Sequence, residues 1–582
     1  MSAMYKLDQN DSALYPPTGS STHLAPENQD RMSGQRSSFA TSRVGRKRRS
    51  PWVWVAAAVA AVIVILAAVL GGVLGSRATS GDNKNNSVGA KVNAGAASGA
   101  STTGTASAAS TSLPAGASKV AITDLPAWNW GQNKSIGMCL GNTYILEKWM
   151  APDWFNATVN AVQPGAGATA MDEWSFMEIL GQERGRAALL EHFETWATED
   201  DIETMFQYGI NHLRIPTGFW AWIPTIEGEP YLNDTSLYQA QIERVLGYLY
   251  DRNMYAIIDC HGLPGSQNGE QSSGHLTTEP SWFGGNASTE TPNQIRSDQM
   301  VVAITEWLAK TPYRSVVTGI EVINEPRPYT PDQIVQLKNY YERSYATIQK
   351  SAWPVATFLH NGYTNLTFWQ DFAAAHATQP PSMVMVDHPY PGNFPPQNDS
   401  SNILSQICTA ADRYLNYPIP ICIDEWSLYT GVKDQAFEKQ FYEQQLVTWA
   451  WSAGGMYWSW KLETSQQDLA AGLDYSQYSF VTLLKNNSAT IDKPSAFGQN
   501  GTTSMGAAEA YLSALAAQIS PNCGTAPSNV APYATGSVSA WTAEQSARSS
   551  AAGQTLTATV TTSTAASATA TARAKRAVPM RA

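Results

Sequence analysis

Short apolar runs rich in β-branched residues recur along the middle of the chain, and longer amphipathic stretches separate them. The runs are SIGMCLG from Ser135, HLRIP from His212, YAIIDCHG from Tyr255, TGIEVINEP from Thr318, VATFLHNG from Val355, MVMVDHPY from Met383, PICIDEW from Pro420 and GGMYWSWK from Gly454. Such runs are typical of buried parallel strands, and the stretches between them have helical periodicity. Eight alternations predict an α/β fold, a (β/α)8 barrel closed on itself rather than an open sheet.

Both ends of the chain are polar and lack any apolar period, so only the middle can form a packed core. Residues 1–51 are predicted to be a disordered cytosolic tail, and residues 524–582 a disordered tail rich in Ser, Thr and Ala. Residues 76–124, mostly Ser, Thr, Ala and Gly, predict a flexible stalk. The folded domain is placed at residues 125–523, a length that is ordinary for a decorated barrel.

Residues 52–75 differ from both tails because they hold no charge and are strongly apolar. At about 1.5 Å per residue the segment is long enough to cross a hydrocarbon layer of ~30 Å, which predicts one transmembrane helix. A cleaved signal peptide is the alternative, but the run begins far into the chain and is too long for one. Because basic residues, among them Arg46 to Arg49, crowd the N-terminal side, we expect a single-pass type II protein of the cell membrane whose folded domain is extracellular.

Composition narrows the possible partners. A formal charge of -11 and a pI near 5.3 give no basic field that would attract nucleic acid. The 20 Trp and 25 Tyr supply rings that serve either as core filler or as flat platforms for sugar faces. Asn-X-Ser/Thr sequences, which a secreted surface tolerates as glycosylation sites, occur among other places at Asn133, Asn156, Asn233, Asn286, Asn365 and Asn398.

The chain has five cysteines, so at least one is unpaired even in an oxidising compartment. Three of them lie inside predicted strands. Only Cys408 and Cys523 lie outside the strands, and these two are predicted to form a disulfide.

Polar residues collect where the predicted strands end. They are Arg214 of the second run, His261 of the third, Asn324 and Glu325 of the fourth, His388 and Tyr390 of the sixth, Glu425 of the seventh and Trp458 of the eighth. In a (β/α)8 barrel, catalytic groups lie at the C-terminal ends of the strands. A single polar residue there is ordinarily a loop contact. Six strands that share the feature predict an active site.

Glu325 and Glu425 are the leading catalytic candidates. They end the fourth and seventh strands, which lie across a barrel from each other, and cleavage of a glycosidic bond needs two carboxyl groups in such an arrangement. A separation of ~5–5.5 Å would exclude a water between them and require a covalent intermediate with net retention. A salt bridge is the structural alternative for each, and it fits poorly because neither Glu has a basic neighbour next to it in the sequence.

Six segments in this order, ILEKWM, LRIPTGFW, IIDCHGLPGSQNG, IEVINEP, CIDEW and YWSWKLE, resemble glycoside hydrolase family 5, and most of all its fungal exo-β-1,3-glucanase branch. The resemblance covers roughly residues 135–523, and the common order together with the long HGLPGSQNG match makes it specific. It implies a barrel that cleaves β-glucan and needs no cofactor and no metal. The branch also has a disulfide in the place of Cys408 and Cys523.

The resemblance implies a role for each motif residue around the reacting bond. Glu325 would be the acid/base and Glu425 the nucleophile. Asn324 would hydrogen-bond the 2-hydroxyl of the sugar, an interaction that strengthens in the transition state. Arg214 would keep the Glu425 carboxylate ionised, and Tyr390 would hydrogen-bond it.

Four further residues would bind sugar by the same resemblance. His261 and His388 would contact the sugar or the acid/base. Glu147 of ILEKW would hold the outer hydroxyls in the terminal subsite, and Trp458 would be the floor on which that sugar stacks.

Three departures from the branch all concern sugar binding. Asn142 and Thr143 replace a Gly-Trp pair near the pocket rim. Glu270 and Gln271 stand where the branch has a Phe that clamps the second glucose and an Asp that binds the terminal one. Phe394 in HPYPGNF falls one residue later than the Phe expected to form the other half of the clamp. Neither catalytic Glu departs from the family pattern. The departures therefore bear on which glycosidic linkage is cleaved and not on the mechanism of cleavage.

The main hypothesis is therefore a retaining glucan exo-1,3-β-glucosidase that releases glucose from cell-wall β-glucan and is held to the membrane by one helix. A second possibility is the same mechanism on β-1,6-glucan, another β-glucoside or a glycolipid. A third, from another class, is a non-catalytic sugar-binding surface protein, which the intact carboxylates and Arg214 disfavour.

Overall fold

The computed structural model describes residues 123–485, 511–512, 514–516 and 523. The predicted cytosolic tail, transmembrane helix and C-terminal tail lie outside these residues, as does nearly all of the predicted stalk. Among the helices that are described, none is both long enough and apolar enough to cross a membrane.

Eight parallel strands close into a barrel in chain order, as predicted. They are β1 Ser135–Cys139, β2 His212–Gly218, β3 Tyr255–Gly262, β4 Val317–Glu321, β5 Ala356–His360, β6 Met383–Val386, β7 Ile421–Trp426 and β8 Gly454–Tyr457. The barrel closes where β1 pairs with β8, with Ser135 opposite Gly454. Each of the eight apolar runs contributes one strand.

Helices cover the outside of the barrel. Those described are α1 Pro152–Val162, α2 Glu173–Trp196, α3 Glu199–Gln207, α4 Thr235–Tyr250, α5 Pro292–Leu308, α6 Pro331–Gln349, α7 Gln370–Ala375, α8 Ser400–Asp412, α9 Gln435–Trp449, α10 Gln466–Ala470 and α11 Phe480–Lys485. Capping residues fix where two of these helices begin. α5 and α6 both start at a Thr-Pro pair, in which the side chains of Thr291 and Thr330 accept hydrogen bonds from free backbone N–H groups.

Side chains on each strand alternate between the barrel interior and the layer beneath the helices. On β3, Ile258 and Cys260 belong to the large apolar cluster under the helices, whereas Ile257 packs in a second cluster inside the barrel. Asp259 and His261 follow Ile257 at the same spacing of two. The interior face thus changes along the strand from apolar to charged, toward the C-terminal mouth.

The same change occurs on other strands. On β5 the interior Phe358 is followed by His360, and beyond β6 the interior Val386 is followed by His388. A packed apolar floor therefore lies beneath a layer of buried polar groups. This layer is where the site is built.

The second strand extends further than the sequence suggested. Pro216 looked like its end, which placed Arg214 at the strand terminus, but β2 continues to Gly218 and Thr217 pairs with Cys260. Pro216 has no backbone N–H to donate, and the register of β2 against β3 shifts directly after it, between Thr217 and Gly218, the kind of irregularity at which a strand accommodates proline. Arg214 consequently lies in mid-strand and reaches upward from inside the barrel.

The predicted disulfide between Cys408 and Cys523 forms, joining α8 to the end of the domain. Cys139, Cys260 and Cys422 are free and buried in the strands, as expected. Of the six proposed glycosylation sites, four asparagines are exposed and Asn133 and Asn156 are half-buried. Glycosylation itself remains a prediction.

Candidate active site

Arg214 is the centre of a buried charge network at the barrel mouth. Its Nε donates to Glu321 Oε2 at 2.7 Å, and its Nη1 donates to Glu425 Oε1 at 2.6 Å. Its Nη2 donates to Asn324 Oδ1 at 2.8 Å and lies 3.0 Å from Asp259 Oδ2. The guanidinium is fully buried, and the surrounding carboxylates hold its pKa well above the usual value against the opposing effect of burial. It stays charged at any pH at which the protein folds.

Both oxygens of Glu425 are held. Arg214 binds Oε1, and the Tyr390 hydroxyl donates to Oε2 at 2.8 Å. Local sequence alone disfavoured a salt bridge here because no basic residue is adjacent in the chain, whereas the family resemblance placed Arg214 beside Glu425, and β2 brings it there. These two donors fix the orientation of the carboxylate, as a nucleophile requires.

Asp424 and Glu425 are consecutive, and both reach the same guanidinium, Asp424 at 3.4 Å. A regular strand would direct two neighbouring side chains to opposite faces. The pairing of β7 with β8 shifts register between Ile423 and Trp426, and such an irregularity redirects a side chain at a sheet end. It turns both carboxylates toward the mouth.

Glu325 lies four residues beyond the last residue of β4, in a left-handed conformation with φ 45°. Its Oε1 is 2.9 Å from Nδ1 of His388, and Nε2 of His388 is 2.8 Å from Asp424 Oδ1. The same Nδ1 lies 3.7 Å from Glu425 Oε2. One imidazole thus stands between the two candidate catalytic carboxylates.

Glu325 and His388 share a proton unevenly. Burial lowers the pKa of His388, but the carboxylates of Glu425, Asp424 and Glu325 outweigh it and hold that pKa well above its usual value. Burial raises the pKa of Glu325, but its hydrogen bond and charge interaction with His388 outweigh that effect and lower the pKa below its usual range. With no sugar bound, the pair holds one proton, and it resides mainly on His388.

His261 and Asn324 form the adjoining part of the site. His261 Nδ1 lies 2.7 Å from Asp259 Oδ2, and its Nε2 faces Asn324 Nδ2 at 3.3 Å. The Gln267 amide donates to the backbone oxygens of His261 and Asn324 at 2.7 and 2.9 Å. These bonds tie β3 to the segment that carries Glu325, so Asn324 is fixed before any sugar binds.

Glu147 and Trp458 both lie beside His261. Glu147 is buried, its Oε2 accepts from Trp149 Nε1 at 2.9 Å, and its Oε1 has no hydrogen-bond partner within the described part of the chain. Burial raises the pKa of Glu147 to about 7, partly offset by His261 and Trp149. The Trp458 ring lies parallel to His261, 5.5 Å between centroids. An open acceptor beside a flat ring is suited to a hydroxylated ligand.

The departures from the family pattern also lie around this mouth. Asn142 Oδ1 accepts from the backbone N–H of Glu147 at 2.8 Å, so it supports that residue. Glu270 forms an ion pair with Arg327 at 2.5 Å in place of an aromatic clamp. The amide of Gln271 is buried and makes no hydrogen bond among the residues described, whereas Phe394 is 63% exposed beside Tyr390.

Two groups of described residues have metal-ligand chemistry: Glu325, His360 and His388, and Glu321, His388 and Asp424. Nδ1 of His360 accepts a hydrogen bond from the Gly362 N–H at 3.0 Å, so a neutral ring carries its proton on Nε2 and keeps no lone pair for an ion. His388 already bridges two carboxylates. The geometry therefore suits proton handling better than metal binding.

All nine predicted site residues are brought to one barrel mouth. Sequence reasoning gave no role to five others in contact with them: Asp259, Glu321, Gln267, His360 and Tyr363. Asp259 and Glu321 were detectable, because each is a charged residue within an otherwise apolar strand run and must be neutralised inside the barrel. Gln267 lies in the HGLPGSQNG motif. Nothing local distinguished Tyr363.

The closed (β/α)8 barrel carries two carboxylates at its mouth. Glu425 is held by Arg214 and Tyr390, and Glu325 is hydrogen-bonded to His388. This arrangement defines the class of barrel hydrolases that use paired carboxyl groups. Residues 182–464 match the family model for cellulase, glycosyl hydrolase family 5. The matched part of the barrel is a glycosyl hydrolase family 5 domain, and the protein is a glycoside hydrolase.

Curated relatives agree with this membership. The chain is 28% identical over 373 residues to the probable glucan 1,3-beta-glucosidase A of Aspergillus terreus, covering 56% of this chain and 83% of that one. It is 29% identical over 306 residues to glucan 1,3-beta-glucosidase 1 of Schizosaccharomyces pombe, covering 52% and 70%. Among solved structures, the rutinosidase of Aspergillus niger shares the fold with a TM-score of 0.53 and 22% identity, covering 62% of this chain and 99% of that one.

Proposed function

We propose that this chain is a retaining glucan exo-1,3-β-glucosidase that releases glucose from cell-wall β-glucan by double displacement. The observation that carries the proposal is the pair of unlike carboxylates at one mouth. Both oxygens of Glu425 accept hydrogen bonds, from Arg214 and Tyr390, and Glu325 shares a proton with His388. The similarity to fungal glucan 1,3-beta-glucosidases supports the choice of substrate.

In the first step, Glu425 attacks the anomeric carbon and the glycosidic oxygen leaves with a proton from Glu325. Arg214 and Tyr390 hold the two oxygens of the nucleophile and fix its orientation. In the second step, Glu325 takes a proton from a water that attacks the glycosyl-enzyme, and Glu425 is released as a carboxylate. Asn324, fixed by Arg214 and Gln267, is placed to bind the 2-hydroxyl.

The proton for the first step is held by the Glu325–His388 pair. The directions of their two pKa shifts put it on His388 when the site is empty. As the glycosidic oxygen begins to leave, His388 can pass this proton along the existing 2.9 Å hydrogen bond to Glu325, which delivers it to that oxygen. An acid that is ionised at rest is therefore compatible with acid catalysis.

The contacts of His388 set an upper limit on one oxygen–oxygen distance between the two carboxylates, and that limit is compatible with retention. The His388 Nδ1 lies 2.9 Å from one carboxylate oxygen and 3.7 Å from the other. Glu325 Oε1 and Glu425 Oε2 can therefore be no further apart than the sum of these two distances. That sum reaches only the lower edge of the roughly 6.5–9.5 Å carboxyl separation typical of inverting enzymes. The retaining separation of about 5–5.5 Å falls within it.

A second candidate function has the same mechanism but a different bond: β-1,6-glucan, another β-glucoside or a glycolipid. The Glu270–Arg327 ion pair favours it, because a charged pair replaces one ring of the aromatic clamp that the resemblance leads us to expect. The exposed Phe394 is the ring that remains.

The test compares laminarin, pustulan and an aryl β-glucoside as substrates and follows the anomer of the first product by NMR. We expect β-glucose as the initial product and faster hydrolysis of laminarin than of pustulan. An initial α-product would reject double displacement. Preference for pustulan or the aryl glucoside would favour the second candidate, and no turnover of any β-glycoside would leave only a sugar-binding role.

We also propose that residues 52–75 anchor the enzyme as a type II membrane protein with its barrel on the cell-wall side. The Cys408–Cys523 disulfide and the exposed Asn233, Asn286, Asn365 and Asn398 support an oxidising, glycosylating compartment. Protease added to intact wall-free cells should remove the barrel and spare residues 1–51. Protection of the barrel from the protease would contradict this orientation.

A further inference from the structure

We propose that Tyr363 is a positioning residue for Glu325, and that the Glu270–Arg327 ion pair holds the Tyr363 ring in place. The proposal rests on the acid/base role of Glu325 proposed above. Its basis is a chain of contacts that runs from the surface to the Glu325 carboxylate. The chain includes Glu270, which stands where the family pattern has a clamp Phe.

The backbone at Tyr363 is held in a strained form. Gly362 and Tyr363 follow each other after β5 with φ 63° and 56°, and the Thr364 N–H donates to the Asn361 carbonyl oxygen at 3.2 Å. Positive φ suits glycine at the first of these positions, but at a tyrosine it costs free energy that the surroundings must offset.

Asn361 supplies the support for this turn. Its Oδ1 accepts from the Tyr363 N–H at 2.8 Å, and its Nδ2 donates to Asp387 Oδ1 at 2.6 Å. The buried Trp369 indole donates to the Asn361 carbonyl oxygen at 2.8 Å. Three contacts therefore determine the turn, and its effect is to direct the Tyr363 side chain toward the mouth. Strain retained in this way is characteristic of functional sites.

The side chain of Tyr363 contacts the acid/base on one side and a cation on the other. Its hydroxyl hydrogen-bonds the Glu325 carboxylate. Its ring lies beneath the Arg327 guanidinium, with Cζ 4.9 Å from the centroid, and Glu270 holds that guanidinium at 2.5 Å. Glu270, Arg327 and Tyr363 thus form a connected series ending on Glu325.

The series has a defined electrostatic effect. The Tyr363 hydroxyl donates to the ionised form of Glu325 and so lowers the pKa of that carboxyl, in the same direction as His388. The other groups that face Glu325 are His360, which lowers its pKa as well, and Glu147 and Tyr390, each in electrostatic contact with it. Of the two tyrosines, Tyr363 donates its hydroxyl to Glu325, whereas the Tyr390 hydroxyl donates to Glu425.

The decisive variant is Tyr363→Phe, which removes only the hydroxyl. We expect the basic limb of the pH profile of kcat/KM for laminarin to move to higher pH, because the ionised Glu325 loses a hydrogen-bond donor and the Glu325–His388 pair then holds its shared proton to higher pH. We also expect kcat for dinitrophenyl β-glucoside, whose hydrolysis is limited by the step in which Glu325 acts as base, to fall about tenfold on the acidic side. The product anomer should stay unchanged.

The matched control is Tyr417→Phe. The Tyr417 hydroxyl donates to the backbone oxygen of Leu366 at 3.1 Å, so the variant loses a hydroxyl of similar kind near the same loop. Its pH profile should coincide with that of the wild type. If Tyr363→Phe lowers kcat/KM equally at every pH and leaves both limbs in place, Tyr363 has only a structural role and the proposal is wrong.

Arg327→Ala tests the outer part of the series. It should move the basic limb in the same direction as Tyr363→Phe but by less, and combining the two changes should add little to Tyr363→Phe alone. Independent, additive shifts would overturn the series. Failure of the proposed function would show differently, as an inverted product or no hydrolysis by the wild type.

Discussion

The two halves of the catalytic mouth are built on different principles. The nucleophile half, with Arg214, Tyr390 and Glu425, is buried, and every polar atom of the Glu425 carboxylate has a strong donor. The acid half, with Glu325 and His388, is more exposed, with 14% of the Glu325 side chain accessible against 7% for Glu425. Its supports, Tyr363, Arg327 and Glu270, lie outside the quoted motifs.

The difference follows from the chemistry of each half. The nucleophile attacks as a carboxylate and is released as one, so a fixed, buried cation beside it, the Arg214 guanidinium, suits both steps. An acid/base must gain and lose a proton within one cycle, so its partners must themselves titrate or be neutral. His388 and the Tyr363 hydroxyl meet that condition, and Arg214 contacts Glu425 rather than Glu325.

The largest expected effect tests the nucleophile half. Glu425→Ala should lower kcat on every β-glycoside by about 10⁴-fold or more, because no other group reaches the anomeric carbon. With azide and an activated glucoside, the variant should form the α-glycosyl azide. The surface variant Glu306→Ala is the control for handling and folding. Activity retained by Glu425→Ala would refute the assignment.

The corresponding change in the acid half should depend on the leaving group. Glu325→Ala is expected to lower kcat/KM on laminarin by about 10³-fold. For dinitrophenyl β-glucoside the loss should be far smaller, since that leaving group needs no proton. Azide should restore turnover and give the β-glycosyl azide, as the covalent intermediate still forms on Glu425. Equal losses on both substrates would show that Glu325 is not the acid.

Glu147 gives a stability test of the part of the mouth that binds sugar. Its folded pKa of about 7 lies above the unfolded value, so its contribution to stability is full below the unfolded pKa and is lost as pH rises to about 7. Glu147→Gln stays neutral. Its free energy of unfolding relative to wild type should therefore increase by about 3 kcal/mol between about pH 4 and about pH 8.

Urea unfolding of both proteins across that pH range measures this difference, with Glu306→Ala as a surface control. Sugar affinity of Glu147→Gln should fall while its stability rises. A difference in stability that does not vary with pH would mean that Glu147 is not the titrating group.

The smallest effect concerns the leaving-group side. Phe394→Ala should raise KM for laminari-oligosaccharides about three- to tenfold and leave an aryl glucoside nearly unchanged, because the exposed ring offers one stacking face to a second sugar. Ile295→Ala, which removes a 45% exposed side chain from α5, is the control. An unchanged KM would place the second sugar elsewhere, beside Glu270 and Arg327.

Much of this molecule was predictable from local pattern. The eight apolar runs gave all eight strands, since a buried parallel strand needs a short β-branched run whatever its neighbours are. Polar residues after those runs marked the mouth, because parallel strands of a barrel all end on one side. The same strand prediction placed three cysteines inside strands, where they are free, and left Cys408 and Cys523 outside, where they form the disulfide.

Barrel closure decided the rest. Arg214, taken for a strand end, lies in mid-strand and binds Glu425 across the interior. Asp424 and Glu425 share one guanidinium only because β7 shifts register against β8. Tyr363 reaches Glu325 only through a turn held by Asn361. Hydrophobic periodicity and composition report on a few neighbouring residues at a time. The contacts above join positions that are distant in sequence, so their geometry exists only once all eight strands have closed into the barrel.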